Sequence, residues 1–406
     1  MSFLISLSGM NAASADLNIT SNNIANANSA GFKQSRGEFG DVFAVSGYGL
    51  SNNAIGAGTR LQRVAQQFAQ GNVDYTGKSL DMALSGEGFF TLSGGGGLSY
   101  TRAGNFGADR EGYVVNPTGQ RLQVFLPNAS GQGFDTGRMS DLRLATGDAP
   151  PRATGQVDVG LNLPGNATAP AATPFDPNDP ESYNHTTSVT VYDSLGASHS
   201  QSMYFVRTAN PNEWTVHTQI DGVDVGGPQT LQYSATGELL VPANGEIALP
   251  AFTPPGGAAA MDITLEFDGS TQYGDRFGVS ALVQDGHATG RLSAIEISEE
   301  GVVSARYSNG ESNPLGQVAL TNFANPQGLQ PIGDNAWAET FGSGQALRGA
   351  AGTAEFGQIQ GGALEASNVN LTEQLVNMIT AQRNFQANAQ MIQAQDQLTQ
   401  TVINIR

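Results

Sequence analysis

The sequence predicts a mainly β protein with two long helices, one from each chain terminus, that pair with each other. The β part is expected to form two nested domains, each barrel- or sandwich-like. Three observations predict this fold class. Apolar residues recur at helical spacing near the two chain ends, they alternate with polar residues through the middle, and most of the 52 glycines and 18 prolines punctuate that middle. A chain of 406 residues is also long enough for two or three domains.

The N-terminal helix is predicted over residues 3–27. Its apolar positions recur at intervals of three and seven, and serines fill the alternate positions of the same face. Asparagines and a glycine after position 25 end the pattern. The apolar face, here called the N-terminal seam, consists of Leu7, Met10, Leu17 and Ile24.

The middle of the chain predicts β-strands joined by tight turns. Apolar residues alternate strictly over residues 157–163, and a Pro- and Ala-rich loop follows. A meander is then expected, with strands at 189–191, 203–205 and 214–220. Further strands are predicted near residues 80–84, 112–115, 122–125, 261–267 and 292–297.

The C-terminal helix is predicted over residues 371–405, with Ser367 or Asn370 as its N-cap. Its other faces are rich in Gln and Asn, which can satisfy one another in tight helix packing without the desolvation of ions. Periodicity alone leaves open whether the two helices form an intramolecular core or contacts between copies, and the amide-rich faces favour contacts between copies. The apolar face, here called the C-terminal seam, consists of Leu371, Leu375, Met378, Phe385 and Ile392.

Charge is concentrated in one central block. The whole chain has a net charge of −18, and residues 146–284 hold fifteen acidic and three basic residues, a net of −12. This balance disfavours binding to nucleic acid or to an anionic membrane surface, and the absence of an apolar run of 18 residues disfavours membrane insertion. The predicted parts are a terminal helical core segment (1–30 and 364–406), a linking segment (31–70), an inner β domain (71–145 and 285–363) and an outer acidic β domain (146–284).

Motifs for catalysis or cofactor binding are missing from the sequence. Cysteine is absent, which excludes disulfides, thiol catalysis and Cys-based zinc sites. GNVDYTGKS at residues 71–79 has one residue too many for a phosphate-binding loop and predicts a plain turn. His185, His199, His217 and His287 lack metal-ligand spacing and are expected to be surface or strand histidines. The sequence therefore predicts no catalytic, cofactor or metal site, and a protein that is not an enzyme.

Five stretches carry a family resemblance. GMNAASADLNITSNNIANANSAGFK (9–33) resembles the N-terminal signature of bacterial flagellar rod and hook proteins. GKSLDMALSGEGFFTL (77–92) and YTRAGNFGADREGYVVNPTGQRLQ (100–123) resemble the stretch that follows it in that family. LTNFANPQGLQPIG (320–333) and GALEASNVNLTEQLVNMITAQRNFQANAQMI (362–392) resemble the C-terminal half of the family.

The central insertion distinguishes members of this family. SVTVYDSLGASHSQSMYFV (188–206), followed by Trp214, resembles the outer domain of hook proteins, which the shorter rod proteins lack. The resemblance implies an extracellular structural subunit that polymerises into the curved, flexible hook joining rod to filament. It also implies as partners other copies of the chain, the hook cap, the distal rod, the hook–filament junction proteins and the flagellar type III export apparatus. The alternatives are a distal rod subunit or, from another class, a secreted β-rich carbohydrate-binding protein.

Overall fold

The computed structural model describes residues 2–42, 56–128, 133–144, 147–353 and 355–404. The chain divides into two compact units, here called the end unit and the central unit. The end unit comprises residues 1–146, 294–305 and 313–406, and the central unit comprises residues 147–293 and 306–312. The predicted boundary at residues 145 and 146, and residues 43–55 of the predicted linking segment, lie outside the described residues.

The first part of the end unit begins with a helix and continues as short strands. Its elements are α1 (Ser2–Ala25), β1 (Ser35–Asp41), β2 (Thr59–Gln66), β3 (Val73–Tyr75), β4 (Met82–Ser85), β5 (Phe89–Gly94), β6 (Gly97–Thr101), β7 (Gly107–Ala108), β8 (Val114–Val115), β9 (Arg121–Pro127) and β10 (Phe134–Asp141). β1 and β2 form an antiparallel ribbon that contacts α1. The segment predicted only to link the helix to the β part thus contains regular structure of its own.

The central unit is built from two sheets around one core. Its strands are β11 (Gln156–Asn162), β12 (His185–Tyr192), β13 (Ser198–Arg207), β14 (Glu213–Ile220), β15 (Val223–Asp224), β16 (Gln229–Tyr233), β17 (Leu239–Val241), β18 (Glu246–Ala248), β19 (Thr264–Glu266) and β20 (Gly278–Gln284). One sheet has the order β12-β13-β14-β16-β17 with β15 on β14, and the other has the order β18-β19-β11-β20.

Apolar side chains from both sheets meet in this core, because alternate residues of each strand point to the same side. Trp214 is fully buried at its centre. The smaller sheet and the larger sheet contribute Val157, Val159, Leu161, Leu265, Val191, Met203, Phe205, Val216, Ile220 and Leu231. The central unit is therefore sandwich-like.

The chain then returns to the end unit and finishes in a long helix. The elements are β21 (Leu292–Ile297), β22 (Val302–Tyr307), β23 (Ser312–Asn322), β24 (Gln330–Gly333), β25 (Ala336–Ala338), β26 (Leu347–Ala350), β27 (Gln358–Gly361), β28 (Ala363–Glu365) and α2 (Leu371–Asn404). The main sheet runs β21-β22-β23-β9-β5-β6-β25-β24, so three strands from the first half of the chain lie between strands from the second half. β27 pairs with β4 and β28 pairs with β3, which fixes the start of α2 to the β part.

The core of the end unit lies on this sheet. Its centre consists of fully buried Met82, Leu84, Phe90, Leu122, Val124, Val318 and Leu320. Backbones approach closely at Gly104, where an added Cβ would lie 1.6 Å from the backbone oxygen of Met82. Only a glycine fits there without a backbone shift.

The predicted fold class is confirmed, because the chain is mainly β and its two terminal helices pack together. Asn370 is the N-cap of α2, since its side-chain Oδ1 accepts hydrogen bonds from the backbone N–H of Thr372 and Glu373. Two local predictions were wrong. Residues 71–79 are not a plain turn, because they contain β3. The alternating run at 261–267 forms a strand only over β19, while Met261 makes an isolated bridge with Phe252.

Candidate assembly surface

The contact between α1 and α2 is made by small and polar side chains. A Cβ added at Gly9 of α1 would lie 2.5 Å from the Oδ1 atom of Asn388 on α2, so the helices approach closely. The buried residues of the two helices are Ser6, Ala13, Thr20 and Asn23 on α1, and Gln374 and Ala381 on α2. These α1 positions repeat at intervals of seven and three, which is the pattern of a coiled-coil seam. The close approach at Gly9 and the hydrogen bond between Asn23 and Gln374 fix the register of the pair.

An amide pair sets the register at one end of this contact. The side-chain N–H of Asn23 donates to the Oε1 atom of Gln374 over 3.1 Å and to the backbone oxygen of Ser35 over 2.8 Å. The Oδ1 atom of Asn23 accepts from the backbone N–H of Ser35 over 2.8 Å. Burial raises the pKa of Asp16, which lies on the same face of α1. The face favours neutral hydrogen-bonding groups over charges.

The predicted N-terminal seam lies beside this contact. Its residues follow Ser6, Gly9, Asp16 and Asn23 by one position, which turns each of them about 100° around the helix axis. Leu7, Met10, Leu17 and Ile24 are all half-buried.

The predicted C-terminal seam divides between two faces of α2. Met378, Phe385 and Ile392 are half-buried and share the face of the buried Gln374 and Ala381. The first two seam residues, Leu371 and Leu375, are 45% and 51% exposed. Three of the five seam residues therefore share the buried face of α2, and the other two are exposed.

Exposed apolar side chains form a further surface on the two helices. Leu371, Leu375, Val376 and Ile379 follow one another along one side of α2 and are 45–57% exposed. We call these four residues the open stripe. Phe3, Leu4, Met391 and Leu398 are also exposed. Neighbouring exposed apolar residues on one side of a surface helix are typical of an interaction surface.

The C-terminal end of α2 extends past α1. Asn23 meets Gln374 and Gly9 meets Asn388, so the helices are antiparallel with paired residue numbers that sum to 397. The first residue of α1, Ser2, therefore lies level with about residue 395. The last nine residues of α2, about 13 Å of helix, have no α1 turn beside them.

A buried cluster of charges joins both chain ends to the β part. The Nζ atom of Lys33 lies 2.6 Å from Oε1 of Glu365, and Nη1 of Arg102 lies 3.4 Å from Oε2 of the same carboxylate. The side chains of Lys33 and Glu365 are 0% exposed and that of Arg102 is 5% exposed. We call these three residues the charged joint. Burial lowers the pKa of both Lys33 and Arg102, and the Glu365 carboxylate opposes that shift.

Backbone contacts surround the charged joint. The backbone N–H of Gly31 donates to the backbone oxygen of Glu365 over 2.7 Å. Gly31 has a φ of 68°, and an added Cβ would lie 2.4 Å from the backbone nitrogen of Ala103. Asn368 also bridges the two ends, since its Oδ1 accepts from the backbone N–H of Gln34 over 2.8 Å. Sequence reasoning missed this cluster, and its one available signal was the scarcity of lysine, with two in the chain.

The histidines lie in the central unit and have structural contacts. His199 is buried, with Nδ1 2.6 Å from Oδ2 of Asp221 and Nε2 3.3 Å from Oδ2 of Asp193. His185 and His217 stack on aromatic rings at 4.4 and 4.0 Å. Within the described residues, no group of three or more histidines and carboxylates could hold a metal ion.

No helix among the described residues is long and apolar enough to span a membrane.

Family models of flagellar proteins match most of the chain. The model described as "Flagella basal body rod protein" matches residues 3–33, and "Flagellar hook protein FlgE/F/G D1 domain" matches residues 83–169. "Flagellar basal body protein FlaE D2 domain" matches residues 162–287, and "Flagellar basal body rod FlgEFG protein C-terminal" matches residues 360–405.

Several proteins named flagellar hook protein FlgE are similar to this chain over its full length. The chain is 38% identical to the flagellar hook protein FlgE of Escherichia coli (strain K12), and the alignment covers 100% of both chains. It is 34% identical to FlgE of Rhizobium meliloti, over 98% of this chain and 97% of the relative. It is 31% identical to FlgE of Borreliella burgdorferi, over 98% of both.

A solved structure shares the fold. The crystal structure of the Helicobacter pylori flagellar hook protein FlgE2 superposes with a TM-score of 0.54 at 16% identity, covering 72% of this chain and 100% of that one. The full-length relatives at 30% identity or more show the family. The chain belongs to the flagellar hook protein FlgE family.

Proposed function

We propose that copies of this chain polymerise head to tail into the curved, flexible hook of a bacterial flagellum, outside the cell. The observation that carries the proposal is the open stripe on α2. Its four apolar residues are about half exposed, although the same helix packs against α1 through another face. A contact between different faces of successive copies generates an open helical assembly when its rotation does not close into a ring.

The proposed assembly residues are those of the two predicted seams. Leu7, Met10, Leu17 and Ile24 would contact neighbouring copies from α1, since α2 meets the adjacent face of that helix. Leu371 and Leu375 would do the same from the open stripe. Met378, Phe385 and Ile392 would hold α1 against α2 and so shape the surface that neighbours meet.

For this function we divide the chain into three parts. They are a helical core segment (1–30 and 364–406), an inner β domain (71–145 and 285–363) and an outer acidic β domain (146–284). The pairing of β27 with β4 and of β28 with β3 supports treating the flanking β regions as one domain. The separate core of the two-sheet central unit supports an independent outer domain.

The proposed partners are the hook cap at the growing end, the distal rod, the hook–filament junction proteins and the flagellar type III export apparatus. The proposal includes no enzymatic activity, no cofactor and no nucleic-acid partner. The role is structural, since it requires only repeated contacts between copies.

Electron microscopy of purified, polymerised protein tests this function. Tubes with a central channel are expected, and their curvature identifies a hook. Straight tubes would instead favour the distal rod alternative, and deletion of residues 146–284 followed by the same imaging would show whether the insertion sets the difference. Binding of the monomer to a glycan array, with no polymer at any concentration, would favour the carbohydrate-binding alternative.

A further inference from the structure

Two polar side chains point into the core of the central unit. Gln201 of β13 and Thr218 of β14 are 0% and 1% exposed, and they alternate in step with the core residues Met203 and Ile220. The register pairs Gln201 with Ile220 and Met203 with Thr218. Gln201 and Thr218 are therefore diagonal neighbours on one face of an antiparallel strand pair.

Neither of these two side chains has a protein partner. Among the described residues, nothing hydrogen-bonds to the Oε1 and Nε2 atoms of Gln201 or to the Oγ1 atom of Thr218. A primary amide offers two donors and an acceptor oxygen, and a hydroxyl both donates and accepts. Buried polar groups that lack a partner are rare in folded proteins, because leaving them unpaired is costly.

The side chains around Gln201 do not supply the missing hydrogen bonds. Across the two strand pairs, Gln201 lies opposite Val189 of β12 and Ile220 of β14. Along β13, its neighbours on the same face are Met203 and His199. Both ring nitrogens of His199 already contact aspartate carboxylates. The Gln201 amide is thus surrounded by apolar side chains and by an imidazole that is already hydrogen-bonded.

We infer that Gln201 and Thr218 bind an internal water molecule that bridges β13 and β14. Water both donates and accepts, so it matches the amide and the hydroxyl together, and a buried water makes about three hydrogen bonds. Diagonal neighbours are about 7–8 Å apart, which leaves room for one such molecule between a glutamine amide and a threonine hydroxyl. Neither side chain is charged, which argues against an ion. The inference concerns the core of one copy and does not depend on polymerisation.

A bridging water makes the two polar residues depend on each other. When one of them is replaced by an apolar residue, the other loses its route to a hydrogen bond. Without the water, both side chains are already unpaired, and an apolar residue of similar size relieves the cost of burying each one. The two cases therefore predict opposite signs for the effect of a single substitution on stability.

A double-mutant cycle separates these cases. It compares the unmodified chain with Gln201→Met, Thr218→Val and the double variant, since both substitutions remove polar atoms at similar size. Trp337→Phe is introduced into all four chains, which leaves Trp214 as their remaining tryptophan. Trp214 is fully buried in the core of the central unit, so its fluorescence reports the unfolding of that unit.

Each single variant is expected to lower the melting temperature of the central unit by about 3 °C or more, because a buried group loses its partner. The double variant is expected to melt higher than the two losses together predict, since no polar group is left unpaired. Met203→Leu and Ile220→Val, the other diagonal pair on this face, are the control and should have additive effects. A rise in melting temperature for either single variant, or additive effects at Gln201 and Thr218, overturns the inference.

Nuclear magnetic resonance detects the water directly. In the full chain labelled with nitrogen-15 at glutamine, the side-chain amide protons of Gln201 are expected to show an Overhauser cross-peak to water, assigned by its loss in Gln201→Met. Bulk solvent does not touch this side chain, because it is 0% exposed. Absence of the cross-peak also overturns the inference. Neither measurement requires tubes, so the proposed function is tested separately.

Discussion

The open stripe leads to the sharpest prediction about assembly, for which we choose Leu375→Glu. Leu375 is 51% exposed, so about half of its burial remains available to a neighbouring copy. That half is worth about 1 kcal/mol, since full burial of a leucine contributes about 1.5–3 kcal/mol. Enclosing an unpaired carboxylate in the contact costs about 3 kcal/mol more. The sum of about 4 kcal/mol corresponds to a roughly thousandfold higher concentration for assembly.

The assay measures two quantities for the variant and for a control. Sedimentation gives the concentration of free subunits that coexists with tubes, and circular dichroism gives the melting temperature of the subunit. Asn384→Glu is the control, because this exposed residue lies nine positions along α2, about 180° around the helix from Leu375. Leu375→Glu should abolish tubes at ordinary concentrations with an unchanged melting temperature, while the control assembles. Normal assembly of Leu375→Glu, or a fall of many degrees in its melting temperature, would refute the reasoning.

Three further outcomes are expected. Met378→Asp should weaken the pairing of α1 and α2 within one copy, seen as a lost helical circular dichroism signal of the subunit, whereas Leu17→Glu should block assembly without that loss; equal helical loss in both subunits would contradict the placement of the seams. Gly104→Ala should destabilise the end unit by about 3 kcal/mol through a backbone clash, while Gly107→Ala, where an added Cβ meets nothing within 4 Å, should be nearly neutral in the same urea titration. Burial alone would lower the pKa of His199, but hydrogen bonds to its two aspartate partners outweigh this and raise it. Its contribution to the stability of the central unit is therefore complete below the unfolded pKa of about 6.5 and is lost as pH rises through the higher folded value. His199→Gln should remove that part of the pH dependence of unfolding, and an unchanged pH profile would contradict it.

The strands of the central unit could be predicted from the sequence because one face of each is buried. Residues 157–163 alternate in the sequence and form β11, whose Val157, Val159 and Leu161 point into the core. The meander that follows it was predicted for the same reason. By contrast, the ribbon of β1 and β2 escaped prediction, because β1 has no buried residue and β2 has five exposed residues in a row.

The face of α1 that meets α2 could not be predicted from apolar periodicity. Leu17 and its seam repeat at intervals of three and seven, but Ala13, Thr20 and Asn23 repeat in the same way one position earlier. Two adjacent faces of one helix thus share a period, and periodicity does not say which one a given partner covers. The small residues meet α2 because only they allow the close approach seen at Gly9.

The charged joint was beyond sequence reasoning for a different reason. Lys33, Arg102 and Glu365 are separated by tens to hundreds of residues, and none of them belongs to a local pattern. What brings them together is the pairing of β28 with β3 and the return of the chain beside α1, which are long-range features of the fold. Spacing patterns report local structure only, so they do not predict a site that is built from distant segments of the chain.

The distribution of charge explains why lasting contacts are expected from the end unit. Residues 146–284 have fifteen acidic residues against three basic ones, so at most a few carboxylates there can find a basic partner. Crowding is visible at Glu266, whose pKa is raised by its hydrogen bond and charge interaction with Asp158, with burial contributing as well. Two such surfaces repel each other, and salt weakens the repulsion within a Debye length of about 8–10 Å. In the end unit, Lys33 and Arg102 share the buried carboxylate of Glu365, and the buried residues of α1 and α2 are uncharged. Contacts through the helices should thus persist at any ionic strength, while contacts through the acidic surface should loosen and tighten with salt, as a tube that must bend without breaking requires.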